Sequence, residues 1–170
     1  VLTEHSLTFP NVFTNLKIKG AGASIEDRHP LTDAHIAVAT PHYRDDPLAW
    51  ALFVTLTDTG ARLSEIVGLE VRDVDPQERS VAIRPNSIRG LKTKGSNRTL
   101  PLSQRAAETL QEHRKGKEDG EAIFPNYARP RGNDAASAML MKRLRRAITD
   151  KKLTMHSLRH RMKDKLRNAG

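Results

Sequence analysis

The chain has 170 residues and no cysteine, and its 29 Lys plus Arg outweigh 20 Asp plus Glu to give a net charge of +9. That length suits one domain with an appended arm, and a 37% hydrophobic content excludes wholesale disorder. The lack of cysteine excludes a disulfide framework, a Cys-ligated zinc site and a cysteine nucleophile, and the basic balance points to a polyanionic partner.

Residues 1–30 show weak periodicity around Gly20-Ala21-Gly22-Ala23 and read as an arm or linker into a domain over 31–170. Pro30-Leu31-Thr32-Asp33 predicts a helix start with Thr32 as N-cap, and Pro41 ends that helix. A second helix is expected from Pro47 to Thr57. It is apolar nearly all round, which makes it the central buried helix, and Thr59-Gly60 breaks it. This longest uncharged apolar stretch is far too short to span a bilayer, and no basic-then-apolar leader opens the chain. Arg62 to Leu69 is a short amphipathic segment.

The period then changes. Ser80 to Arg84 alternates like a strand, and Ile88 to Lys94 and Asn97 to Leu102 are expected as two more strands around Gly95-Ser96. With no apolar anchor, the hairpin tip is expected to be mobile. Helical periodicity returns over Ser103 to Arg114, Asp134 to Ile148 and His156 to Asn168. The expected fold class is therefore mainly α with a small three-stranded antiparallel sheet (α+β). The chain starts at Val1 rather than Met and stops at Gly170 directly after a helical stretch, so it reads as a piece of something longer.

Three places carry chemistry. In the last helix, Met155, Leu158, Met162 and Leu166 make an apolar stripe beside a face of His156, Arg159, Lys163 and Arg167. His156 and Arg159 project together from its first turn, where the free N–H groups and partial positive charge favour an anion such as phosphate. A solvated basic face is the plainer reading. Arg62 follows the Gly60 break at the start of a short helix, where its charge opposes the macrodipole. That placement suggests a tertiary or ligand role, with a surface Arg paired to Glu65 as the alternative. In the hairpin, Lys92 and Lys94 are two apart and share a strand face. A lysine there can protonate a leaving oxygen, or simply solubilise a turn.

Taken together, Gly60-Ala61-Arg62-Leu63-Ser64-Glu65-Ile66, the lysine hairpin closing in Arg98-Thr99-Leu100-Pro101-Leu102, and His156-Ser157-Leu158-Arg159-His160 resemble the catalytic domain of the tyrosine recombinase, or phage integrase, family. The resemblance covers about residues 30–170. It implies that Arg62 is the first catalytic arginine, that His156 and Arg159 are the His-x-x-Arg pair, and that Lys92 or Lys94 is the hairpin lysine. Glu65 then supports the first arginine, His160 packs behind the site, and Arg98, Lys163 and Arg167 contact DNA. The implied reaction is attack of a tyrosine hydroxyl on a DNA phosphodiester, giving a 3′-phosphotyrosyl link and a free 5′-hydroxyl, with no metal and no cofactor. The implied partners are double-stranded DNA and other recombinase protomers, with no membrane, in the cytoplasm of a bacterium or from a phage, associated with the nucleoid.

The family's nucleophile has no counterpart in this chain. Tyr43 precedes Arg62, and Tyr127 sits in Pro125-Asn126-Tyr127-Ala128-Arg129-Pro130, a loop ahead of a helix. The domain is therefore expected to be incomplete at its C-terminus and unable to cleave DNA covalently by itself. A non-catalytic DNA-binding remnant of an integrase is the alternative. The pair His156 and His160 lacks the metalloprotease glutamate and a third ligand, so no metal site is expected.

Overall fold

A computed structural model describes residues 29–89 and 97–169. The chain enters through α1 (Asp33–Ala39), which Thr32 caps: its Oγ1 accepts the His35 N–H at 3.2 Å, and its own N–H donates to His35 Nδ1 at 3.2 Å. Pro41 does not simply end this helix. It opens a second short one, α2 (Pro41–Arg44), because a missing N–H costs nothing in a first turn.

The central helix is α3 (Pro47–Thr59). Asp46 caps it by accepting the Leu48 and Ala49 N–H groups at 2.9 and 3.2 Å, and Pro47 occupies the first turn. Ala49 and the run from Ala51 to Thr57 are all buried, as an all-round apolar helix requires. Two of its three buried hydroxyls, those of Thr57 and Thr59, turn back onto the Phe53 and Thr55 carbonyls at 2.7 and 2.6 Å. Gly60 ends the helix in the left-handed region at φ 59°.

The one-turn helix α4 (Leu63–Val67) follows, then a 3₁₀ turn (Val71–Asp73). The sheet comprises β1 (Val74–Asp75), β2 (Ser80–Ile83) and β3 (Arg98–Pro101), antiparallel in that order. Val74 pairs with Val81, and Val81 with Leu100. Three strands are present as expected, but one differs. Ile88 and Arg89 are not strand, because Asn86 Oδ1 accepts both of their N–H groups, at 3.1 and 2.7 Å, and folds the chain into a turn. The third strand is instead β1, two residues long and too short to show a period. The remainder of the expected strand over 88–94, and the hairpin tip, lie outside the described residues.

Three helices complete the domain: α5 (Gln104–Arg114), α6 (Gly132–Ala147) and α7 (His156–Ala169). Ser103 caps α5 through the Ala106 N–H at 3.2 Å. α5, α7, α2 and α4 pack around α3, and α6 lies against α1, α2 and α4. The apolar stripe of α7 is covered at Met155 and Leu158 and half-covered at Met162. It runs out at Leu166, which is 67% exposed.

Candidate active site

The site begins where α3 stops. After the left-handed turn at Gly60 the backbone extends through Arg62 (φ −73°, ψ 146°), and α4 starts. The Arg62 side chain makes no cap bond there, and Glu65 supplies one instead. Its Oε2 accepts the Arg62 N–H at 2.8 Å, and its Oε1 accepts Arg62 Nη1 at 2.9 Å. Glu65 is 3% exposed, so its carboxylate needs partners. The second is Arg98 at the start of β3, 33 residues on, with Nη2 at 2.8 Å from Oε2 and Nη1 at 3.3 Å from Oε1. Burial alone would raise the Glu65 carboxyl, but the hydrogen bonds from Arg98 and from Arg62 outweigh it and hold the group below its ordinary value.

Arg159 joins from the first turn of α7. Its Nη1 donates to the Gly60 carbonyl at 2.8 Å across 99 residues of sequence. Burial first, then the positive charges of Arg62 and Arg98, push its guanidinium below the ordinary arginine value, while Glu65 pulls the other way. Three guanidiniums thus gather around one carboxylate, and the positive excess suits an anion. Arg62 keeps a third of its side chain exposed, so it can serve Glu65 and a ligand together.

His156 is the first residue of α7 and is exposed. It lines the same cleft, about 290 Å³, as Ala61, Arg62, Ser64, Asn133 and Ser137. The first turns of α4, α6 and α7 therefore share one cleft, and α6 and α7 are long enough for their aligned peptide dipoles to favour a negative guest. Asp134 also lines the cleft, with its charge paired to Arg131 at 3.2 Å. The His160 ring stands edge-on to His156, centroids 4.8 Å apart.

The structure thus brings Arg62, Glu65, Arg98, His156 and Arg159 together, with His160 behind. Arg98, expected only as a DNA contact, is tied into the cluster through Glu65. Lys163 is exposed one turn beyond Arg159. Arg167, two turns beyond, pairs with Asp164 at 3.4 Å, so neither belongs to the cluster. Lys92 and Lys94 lie outside the described residues.

The model of the phage integrase family matches residues 37–170. The chain belongs to the phage integrase family. The curated relatives it resembles are tyrosine recombinases. It is 35% identical over 150 residues to XerD of Corynebacterium glutamicum, covering 81% of this chain and 45% of that protein. It is 30% identical over 129 residues to XerC of Roseiflexus castenholzii, covering 71% of this chain and 39% of that one. The chain therefore spans less than half the length of these two relatives. Among solved structures it resembles the XerA recombinase (TM-score 0.66, 23% identity, 84% of this chain and 50% of that one). It also resembles the Tn1549 transposon integrase in complex with transposon right end DNA (TM-score 0.61, 25% identity, 84% and 54%). The fold is that of a tyrosine recombinase catalytic domain.

Neither tyrosine of this integrase-family chain serves the cleft. Tyr43 is fully buried, stacked on Phe53 with ring centroids 4.0 Å apart, and its hydroxyl donates to the Leu140 carbonyl at 2.8 Å. Burial pushes that hydroxyl well above its ordinary value. Tyr127 lines a neighbouring pocket with Gly68, Ile88, Arg89 and Arg129. Burial and then the Asp46 charge raise its hydroxyl as well. Neither is poised to ionise and attack.

The sequence reading missed three features of the site. The Gly60 carbonyl holds Arg159, and a backbone acceptor carries no residue signature. Asn133 and Ser137 line the cleft from a helix expected on its periodicity alone, with no site residue named on it. Arg89 and Asp73 are buried and paired with each other, and no motif or spacing marks either of them.

Proposed function

We propose that this chain is the DNA-binding catalytic core, residues 31–170 with an arm over 1–30, of a site-specific tyrosine recombinase that cleaves and rejoins double-stranded DNA through a 3′-phosphotyrosyl intermediate. The observation that carries the reading is the Glu65 carboxylate holding Arg62 and Arg98 beside Arg159, which is bound to Gly60. Arg62 and Arg159 hold the non-bridging oxygens of the scissile phosphate and neutralise the charge that grows in the pentacoordinate state. His156 assists proton movement from the cleft wall. Lys92 or Lys94 protonates the leaving 5′-oxygen. Glu65 orients Arg62 and His160 supports His156, while Lys163 and Arg167 contact flanking phosphates. No metal or cofactor is needed, because three guanidiniums meet the charge a metal would otherwise meet.

The nucleophilic tyrosine comes from outside this chain, and further protomers assemble on the DNA. The protein works in the cytoplasm, on nucleoid DNA. Among the described residues no helix is long and apolar enough to cross a membrane.

A nicked suicide substrate tests this. The 170-residue chain forms no covalent adduct on a denaturing gel, because the phosphate cradle has no placed nucleophile and water is a poor substitute. The full-length parent protein forms the adduct, and Arg62→Ala or Arg159→Ala in that parent lowers its rate at least about 100-fold. An adduct on the short chain mapped to Tyr43 or Tyr127 overturns the account of the nucleophile. A parent that binds the site and never cleaves makes the protein a binding remnant.

A further inference from the structure

Helix α4 has only five residues, too few to hold its own geometry, and its last carbonyls lack partners within it. Yet it must present both Arg62 and Glu65. The Glu65 carbonyl is taken by Arg89, whose Nη1 donates to it at 2.6 Å. Arg89 is 3% exposed. Its Nε and Nη2 donate to the Arg84 carbonyl at 2.9 and 2.5 Å, and Nη2 pairs with Asp73 Oδ2 at 3.3 Å. Its backbone closes the Asn86 turn, accepting the Asn86 N–H at 3.0 Å, and Asn86 Nδ2 donates to the Gly68 carbonyl at 2.8 Å. Gly68 permits this approach, since a Cβ there would stand 2.9 Å from Arg89 Cβ. A buried guanidinium is costly unless its donors are matched, and here the matching acceptors include the backbone of the site itself.

Glu65 is therefore held from two sides, its carbonyl by Arg89 and its carboxylate by Arg98. Arg89 and Arg98 flank residues 90–96, which include Lys92 and Lys94. We propose that Arg89 is a positioning residue: by capping the Glu65 carbonyl from the buried side of α4 it aims the Glu65 carboxylate at Arg62. The inference deepens the proposed site and rests on it only for the anion.

The test uses the 170-residue chain labelled with 15N, with the Arg62 Nε–Hε resonance assigned from its loss in Arg62→Lys. Arg89→Lys keeps the charge and loses the fork; Gly68→Ala keeps every polar group and displaces Arg89. Each variant is measured well below its own thermal transition. The Arg62 resonance moves in both variants, and titration with inorganic phosphate weakens roughly ten-fold, the usual size for a lost outer partner of a charged site. A lowered melting temperature with the Arg62 resonance unmoved makes Arg89 merely structural and overturns the proposal. If Arg89→Lys does not fold, Gly68→Ala gives the same reading alone. If the resonance moves in the variants but phosphate never perturbs Arg62 in the parent chain, the positioning role stands and the anion site fails.

Discussion

Glu65 shows how much one buried carboxylate can organise. It closes the start of α4, orients Arg62 and fastens β3 to the site through Arg98. Its carboxyl is held below its ordinary value of 4.5. A group depressed in the folded state contributes stability that is complete above its unfolded value and is lost as pH falls through the folded one. Glu65→Gln removes the charge and leaves two guanidiniums poorly matched, costing about 2 kcal/mol at neutral pH. The gap in urea midpoint between parent and variant should be constant from pH 7 to 5 and shrink below pH 4.5. A gap that stays constant down to pH 3.5 would mean the carboxylate's charge does no stabilising.

Elements were legible where local rules act alone. The Thr32 cap, the all-buried α3 and the break at Gly60 follow from residue type and period. So does the pairing of His156 with Arg159 on one helical turn. What was not legible depends on tertiary closure. β1 exists only because β2 pairs with it, and the turn at Asn86 cancels the strand expected at Ile88. The helix junction at Gly60 combines both kinds. Its φ of 59° follows from a glycine closing a helix, but a Cβ there would also lie 2.5 Å from Met162 Cβ on α7, which nothing local announces. The two causes can be separated. Gly60→Ala should destabilise by about 2 kcal/mol or more, from left-handed strain of roughly 1 kcal/mol plus the clash. Gly60→Asn relieves much of the strain and none of the clash, so its denaturant midpoint should recover at most about half of the loss seen in Gly60→Ala. Recovery to parental stability in Gly60→Asn would show that α7 yields freely, and the seat of Arg159 would then be softer than its bond to Gly60 implies.

At the scale of the whole molecule, the charge of +9 divides into two populations with different work. Arg62, Arg98, Arg89 and Arg159 are held by Glu65, Asp73 or backbone carbonyls, and are set in place before any ligand arrives. Lys142, Lys151 and Lys163 stand exposed on and beside α6 and α7. Exposed cations displace counterions from DNA, so duplex binding should weaken steeply with salt, with a log–log slope of about 0.9 unit per phosphate neutralised. The populations should separate in that plot. Lys163→Gln removes one contact and should flatten the slope by about one unit, with a uniform loss across DNA sequences. Arg89→Gln removes a buried charge, leaves the exposed ones untouched and should leave the slope unchanged. Filter-binding or fluorescence isotherms on one duplex between 50 and 200 mM salt read both, over a range where roughly six contacts would cost about a thousand-fold in affinity. An isotherm indifferent to salt would remove DNA as the polyanion. An equal change of slope for Lys163→Gln and Arg89→Gln would show that the buried arginine reaches the phosphates itself, which its 3% exposure argues against.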